Sequence, residues 1–203
     1  MKYNPNIHHR RSIRLKGYDY SREGLYFITI CVKNREYLFG NISDGKMILN
    51  DAGRMVETEW LKMPERFSNI RLHEFIVMPN HFHGIIEIVG ATLVVAPEEI
   101  EEPNNRSTTR VAPTTVAPTV APTVATTLGD IVGAFQSIVT VEYIRGVKKY
   151  NWQQFDGKLF QRNYWEHIIR NEKSFLTISE YIINNPIKWN TDKYNIINRE
   201  EEI

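Results

Sequence analysis

One cysteine stands in 203 residues. Cys31 alone builds neither a disulfide framework nor a cysteine-ligated zinc site. Net charge is almost as scarce. The 25 Lys and Arg residues face 24 Asp and Glu residues, so no global basic excess marks the chain as a nucleic-acid binder. Long apolar runs are also missing. No stretch approaches the roughly 18 apolar residues of a membrane helix, and Met1 to Lys16 lacks the apolar segment of a secretory signal. These absences lead to the expectation of a soluble protein in a reducing, cytoplasmic setting with no membrane partner. What is present is 42% hydrophobic residues. In a chain of this length that suits one domain, or one domain plus an insertion, with a sizeable core.

The balanced charge hides a polarity. Lys2, Arg10, Arg11, Arg14 and Lys16 precede the first acid, Asp19, with His8 and His9 among them. This basic arm, residues 1–17, reads either as a phosphate-contacting tail or as a solvated terminus. Residues 196–203 form an acidic tail containing Glu200, Glu201 and Glu202. Between them, residues 90–126 carry acids, then Asn and Ser. A near-repeat follows: Val111-Ala112-Pro113-Thr114, Val116-Ala117-Pro118-Thr119, Val120-Ala121-Pro122-Thr123. Recurrent proline removes backbone donors and blocks both helix and inner strand. The segment reads as a flexible, low-complexity insertion loop between two halves of one fold, residues 18–89 and 127–195.

The β-branched and aromatic run 25–32 predicts a buried strand. Residues 41–45, flanked by 37–39 and 46–49, predict a hairpin. Helical spacing over 51–63, with Asn50 or Asp51 as cap, predicts a helix that Pro64 helps to end. Strands are expected over 72–78 and 82–89. Thr127-Leu128-Gly129-Asp130 reads as a capping box opening a helix over 131–144. A strand is expected over 158–161. Asn171 caps a last helix running to about Asn185, where Pro186 stops it. The mixture predicts an α+β fold: a mainly antiparallel sheet with helices packed on one face.

Two places carry chemistry. His81-Phe82-His83 opens a predicted strand, and the period of two puts His81 and His83 on one face with Ile85 and Glu87. Phe82, Ile86 and Ile88 then face a core. Two imidazoles at i, i+2 can chelate one divalent ion, although a bare pair also suits a polar strand edge. On the last helix, Phe175, Ile178 and Ile182 form the apolar stripe, with Tyr181 and Asn185 neighbouring at its rim. Tyrosine can act as a covalent nucleophile, and an amide oxygen is a hard ligand suited to Mg²⁺ or Mn²⁺. Equally, Tyr181 could simply cap the core. Tyr164, beside Arg162, His167 and Arg170, is an alternative nucleophile without a readable metal ligand. Arg162, Arg170 and Lys188, with Arg10, Arg11 and Arg14 of the arm, are candidate phosphate contacts. Trp152 and Trp165 could stack on unpaired bases or sit in the core.

Val77-Met78-Pro79-Asn80-His81-Phe82-His83-Gly84 resembles the His-hydrophobic-His motif of single-tyrosine transposases. Tyr181-Ile182-Ile183-Asn184-Asn185-Pro186 resembles their tyrosine helix. With Gly129-Asp130-Ile131-Val132-Gly133-Ala134-Phe135 and Phe160-Gln161-Arg162-Asn163-Tyr164-Trp165-Glu166-His167, the likeness is to the REP-associated tyrosine transposase family. It covers nearly the whole chain outside the insertion and the acidic tail. The resemblance implies a ferredoxin-like or RNA-recognition-like palm. It implies that His81, His83 and Asn185 bind one Mg²⁺ or Mn²⁺, with Asn185 at a position often filled by Gln. It further implies that Tyr181 attacks single-stranded DNA beside a palindromic hairpin, leaving a 5′-phosphotyrosine and a free 3′-hydroxyl. Such an enzyme would nick and rejoin DNA as transposases do, in the cytoplasm near the nucleoid, as monomer or homodimer. A non-catalytic DNA-binding regulator on the same fold is the alternative.

Overall fold

The computed structural model describes residue 15, residues 17–90 and residues 126–195. Arg10, Arg11 and Arg14, the Pro-rich repeat and the acidic tail lie outside the described residues. Strand β1 (Gly24–Cys31) is followed by a hairpin of β2 (Gly40–Ser43) and β3 (Lys46–Leu49). Helices α1 (Asp51–Leu61) and α2 (Met63–Arg66) lead into the long antiparallel pair β4 (Ile70–Met78) and β5 (His81–Ile88). Helix α3 (Leu128–Tyr150), strand β6 (Trp165–Ile169) and helix α4 (Glu172–Ile183) complete the elements. The sheet order is β4-β5-β1-β6, with every neighbouring pair antiparallel. With the small hairpin set aside, this is the split β-α-β-β-α-β arrangement of ferredoxin-like folds. The expected α+β palm is therefore present.

Local chemistry explains the boundaries. Asn50 accepts a 2.8 Å hydrogen bond from the Gly53 amide and so caps α1. Pro64 falls in the first turn of α2, where a missing N–H costs nothing, so it opens a second helix as well as closing the first. The capping box at Thr127 and Asp130 is formed in both directions. Helix α3 outruns the expected end at 144 and stops at Tyr150, where Asn151 takes a left-handed φ of 55°. The hairpin turn places Asp44 and Gly45 at φ of 50° and 69°, the twist a two-residue turn needs.

One expectation needs correction. Residues 158–161 form no strand; Phe160 makes a single bridge to Val32. Leu159 and Phe160 are apolar because a loop plugs them into the core. The edge strand is β6, seven residues further from Lys158, where one face is exposed and the apolar signal correspondingly weak.

The two faces of the sheet differ in kind. Tyr26, Ile28 and Ile30 of β1 and Phe82, Ile86 and Ile88 of β5 face the α1–α3 pair and form the main core. Trp60 of α1 lies 4.6 Å from the Phe82 ring, and Phe135 of α3 lies 5.3 Å from it. Each buried side chain of this size contributes about 1.5–3 kcal/mol. Gly84 lets Trp60 approach the sheet, since a Cβ there would meet its ring at 2.8 Å. The opposite face carries α4, with Ile182 packed on Ile85 and Ile169. This second face also holds both histidines.

Candidate active site

The register of the sheet assembles the site. His83 pairs with Thr29 and His81 with Cys31 across β5 and β1. Period-two alternation then turns both imidazoles away from the main core, as the sequence predicts. Both rings are wholly buried beneath the segment after α4. The Tyr194 ring lies 4.6 Å from the His81 ring, and the Trp189 ring stacks on His81 at 6.0 Å.

Hydrogen bonds orient the pair. Asn80 donates its amide hydrogens to the carbonyls of Arg35 and Tyr194 at 3.0 and 2.8 Å. Its Oδ1 is therefore the acceptor that faces His81 Nδ1 at 2.9 Å. The His81 ring carries its proton on Nδ1 and turns an Nε2 lone pair to the pocket. Thr29 Oγ1 holds His83 Nδ1 at 2.8 Å. The two Nε2 atoms come to 3.1 Å of each other. Burial, followed by the neighbouring His83, depresses the His81 pKa well below 6.5, and burial with the nearby Lys193 charge lowers His83 to about 3. Both rings are neutral at physiological pH. Two neutral rings can hold Nε2 atoms this close only with something electropositive between them, either one shared proton or a cation.

Tyr181 and Asn185 complete the cluster. The Tyr181 hydroxyl lies 3.2 Å from His83 Nε2, and its ring is edge-on to Phe27 of β1. Desolvation, reinforced by the Asp192 carboxylate, pushes the Tyr181 pKa up to about 12. Helix α4 ends at Ile183, short of the expected Asn185, because a residue before proline disfavours the helical region. A tighter turn, from the Asn185 amide to the Ile182 carbonyl at 3.2 Å, keeps Asn185 beside Tyr181. Asn185 is 1% exposed. Its Nδ2 donates to Asp192 Oδ2 at 3.2 Å, while its Oδ1 is buried with no hydrogen-bond partner. A buried, orphaned acceptor of this kind calls for a ligand.

The donor set fits a hard divalent ion. His81 Nε2, His83 Nε2 and Asn185 Oδ1 would hold it, and 3.1 Å is the spacing of neighbouring ligands around an octahedral ion at about 2.1–2.2 Å. Among the described residues no group of three His, Cys, Asp or Glu side chains comes together, so two imidazoles and an amide are the available set. An open pocket of about 530 Å³ gives access, with Lys188 and Lys193 on its wall.

An uncharacterised protein of Haemophilus influenzae Rd is 46% identical over 195 residues, covering 95% of this chain and 96% of that protein. The chain belongs to that protein's family. No protein-family profile matches it. Among solved structures, a REP-associated tyrosine transposase bound to a REP hairpin shares the fold, with a TM-score of 0.52 at 16% identity over 86% of this chain and 73% of that one. A candidate transposase from Deinococcus radiodurans R1 has a TM-score of 0.41 at 13% identity, over 84% of this chain and 95% of that one. The likeness to REP-associated tyrosine transposases seen in the motifs thus extends to the fold.

Of the residues singled out in the sequence, His81, His83, Tyr181, Asn185 and Lys188 come together in this family member. Tyr164 does not: it is buried in the main core, on the side of the sheet away from the histidines. Arg162 and Arg170 are exposed outside the pocket, at the two flanks of β6. Trp152 packs on Gly146 and Tyr143. Sequence reasoning missed Asn80 as an orienting group, although it directly precedes His81. It also missed Asp192, Lys193 and Tyr194, which sit in an irregular segment with no periodic signal.

Proposed function

We propose that this chain nicks and rejoins single-stranded DNA beside a hairpin, with Tyr181 as the nucleophile and His81, His83 and Asn185 as the seat of one Mg²⁺ or Mn²⁺. The observation that carries the proposal is the convergence of the Tyr181 hydroxyl, the facing Nε2 pair and the orphaned Asn185 oxygen in one pocket. The shared fold of the REP-associated transposase, itself solved on a REP hairpin, supports DNA as the partner. Among the described residues no helix is long and apolar enough to cross a membrane.

In the reaction the Tyr181 oxygen bonds to phosphorus and the bond to the 3′ oxygen breaks. The phenol gives up its proton, the leaving 3′ oxygen takes one, and the 5′ phosphate stays on the tyrosine. A bound divalent ion supplies charge neutralisation at the phosphate and holds its orientation. Burial keeps the phenol protonated, with a pKa raised to about 12, and Lys188 and Lys193 on the pocket wall supply the positive charge that favours its ionisation and holds the phosphate. Rejoining reverses the same bonds, since the tyrosine ester retains the energy that hydrolysis would discard.

The test incubates the protein with labelled hairpin DNA bearing an unpaired flank, in Mn²⁺. A covalent protein–DNA adduct is expected for the wild type and none for Tyr181→Phe or in EDTA. Salt-sensitive hairpin binding with no adduct under any condition would overturn the proposal in favour of a non-catalytic DNA-binding regulator.

A further inference from the structure

Four tryptophans occur in the chain, and one is conspicuously misplaced for a core residue. Trp60 and Trp189 are 0% and 6% exposed, whereas Trp165 is 56% exposed. It stands on β6, an edge strand of the sheet. Its cross-strand partner is Thr29, the residue that bonds His83. Opposed residues in a pair share a face, so the indole projects on the catalytic side. His167, also exposed, follows on that face opposite Phe27, whose ring lies 5.3 Å from His83. Ile168, between Trp165 and Ile169 on the other alternation, turns to the main core.

Beside Trp165, at His167 two residues along the same face, this surface opens into a cavity that borders the catalytic pocket. A second open cavity of about 540 Å³ runs between β6 and the start of α4, lined by His167, Lys173 and Thr177 among others, and Phe27 borders both cavities. The groove therefore has Lys188 and Lys193 at one end, Tyr181 in the middle, and Lys173 at the other. Aromatic faces flanked by lysines suit an unpaired strand, whose bases stack while its phosphates meet cations. Paired bases in a duplex offer no free face.

We infer that the exposed face of β6, with Trp165 as stacking platform and Lys173 as phosphate contact, is the track for unpaired nucleotides of single-stranded DNA adjoining the cleaved phosphate. This rests on the DNA-nicking function proposed above. It goes further by naming where the unpaired flank lies and which side chains hold it.

The test measures dissociation constants by fluorescence anisotropy in the Tyr181→Phe background, without divalent metal, so that no chemistry intervenes. The probes are an unpaired oligonucleotide and a blunt hairpin. Trp165→Ala should weaken the unpaired probe about ten-fold or more, leave its salt dependence unchanged, and spare the blunt hairpin. Trp165→Phe should restore most of the affinity. Lys173→Ala should instead reduce the salt slope, by about 0.7. Unchanged affinity in Trp165→Ala, or equal loss on both probes, would overturn the inference. So would unchanged affinity accompanied by a dimer-to-monomer shift, which would make the face a self-contact. Adduct formation with wild-type protein is scored in parallel. An adduct together with a silent Trp165→Ala refutes the track alone. A Trp165→Ala defect without any adduct refutes nicking and leaves the track. No binding of unpaired DNA together with no adduct refutes both.

Discussion

Asp192→Asn removes one charge and should lower two quantities at once, metal affinity and the Tyr181 pKa. Asp192 is acceptor-only, so the Asn185 amide must turn its NH₂ toward it, which leaves Oδ1 for the histidine side. A hydrogen bond to a charged group contributes about 1.5–3 kcal/mol. With asparagine at 192 either end of the Asn185 amide can be satisfied, and its orientation is no longer enforced. Loss of an orienting partner typically weakens metal binding by about 10–100-fold, so Mn²⁺ affinity should fall by that factor in calorimetric titration. Burial is the main cause of the raised Tyr181 pKa, and the same carboxylate adds to it. Its removal should lower the Tyr181 pKa in metal-free protein, with each unit a ten-fold gain in phenolate at a given pH. Since the chain holds 10 tyrosines, the shift is read as the difference between ultraviolet titrations of Asp192→Asn with and without Tyr181→Phe. Weaker metal with a more acidic phenol is the expected pair of results. An unchanged Mn²⁺ affinity together with an unchanged titration would refute the role assigned to Asp192.

Two further outcomes follow from the packing. His83 has a folded pKa of about 3, below its unfolded value near 6.5. Its contribution is complete above pH 6.5 and is lost as pH falls toward 3, because only the unfolded chain takes up the proton there. At pH 5 the metal-free protein should lose about 2 kcal/mol from this group. Urea unfolding at pH 7 and 5 measures it, and His83→Gln should flatten that part of the profile. Gly84→Ala places a methyl 2.8 Å from Trp60 and 2.9 Å from Phe82, an overpacking that costs about 1–3 kcal/mol. A stability equal to wild type in urea denaturation would contradict the packing described.

The histidine face was legible because a strand leaves only two choices for each side chain. Phe82, Ile86 and Ile88 claim the core, and His81 and His83 necessarily take the other side. The last helix was legible for a similar reason, its stripe placing Tyr181 at the rim. Strand β6 was not, since an edge strand with Trp165 and His167 exposed lacks a strong apolar signal, while Leu159 and Phe160 in a nearby loop mimic one. The wall formed by Trp189, Asp192 and Tyr194 was invisible for another reason. It is held by side-chain hydrogen bonds and ring contacts to residues remote in sequence, such as Asn80 and His81, and follows no period.

The central claim is that one tyrosine carries the DNA. Wild-type protein trapped with hairpin DNA and Mn²⁺, digested with protease and nuclease, and mapped by mass spectrometry gives the most direct test. A 5′-phosphonucleotide remnant on the peptide containing Tyr181 is the predicted result. A remnant on Tyr164, or covalent DNA persisting in Tyr181→Phe, would contradict it.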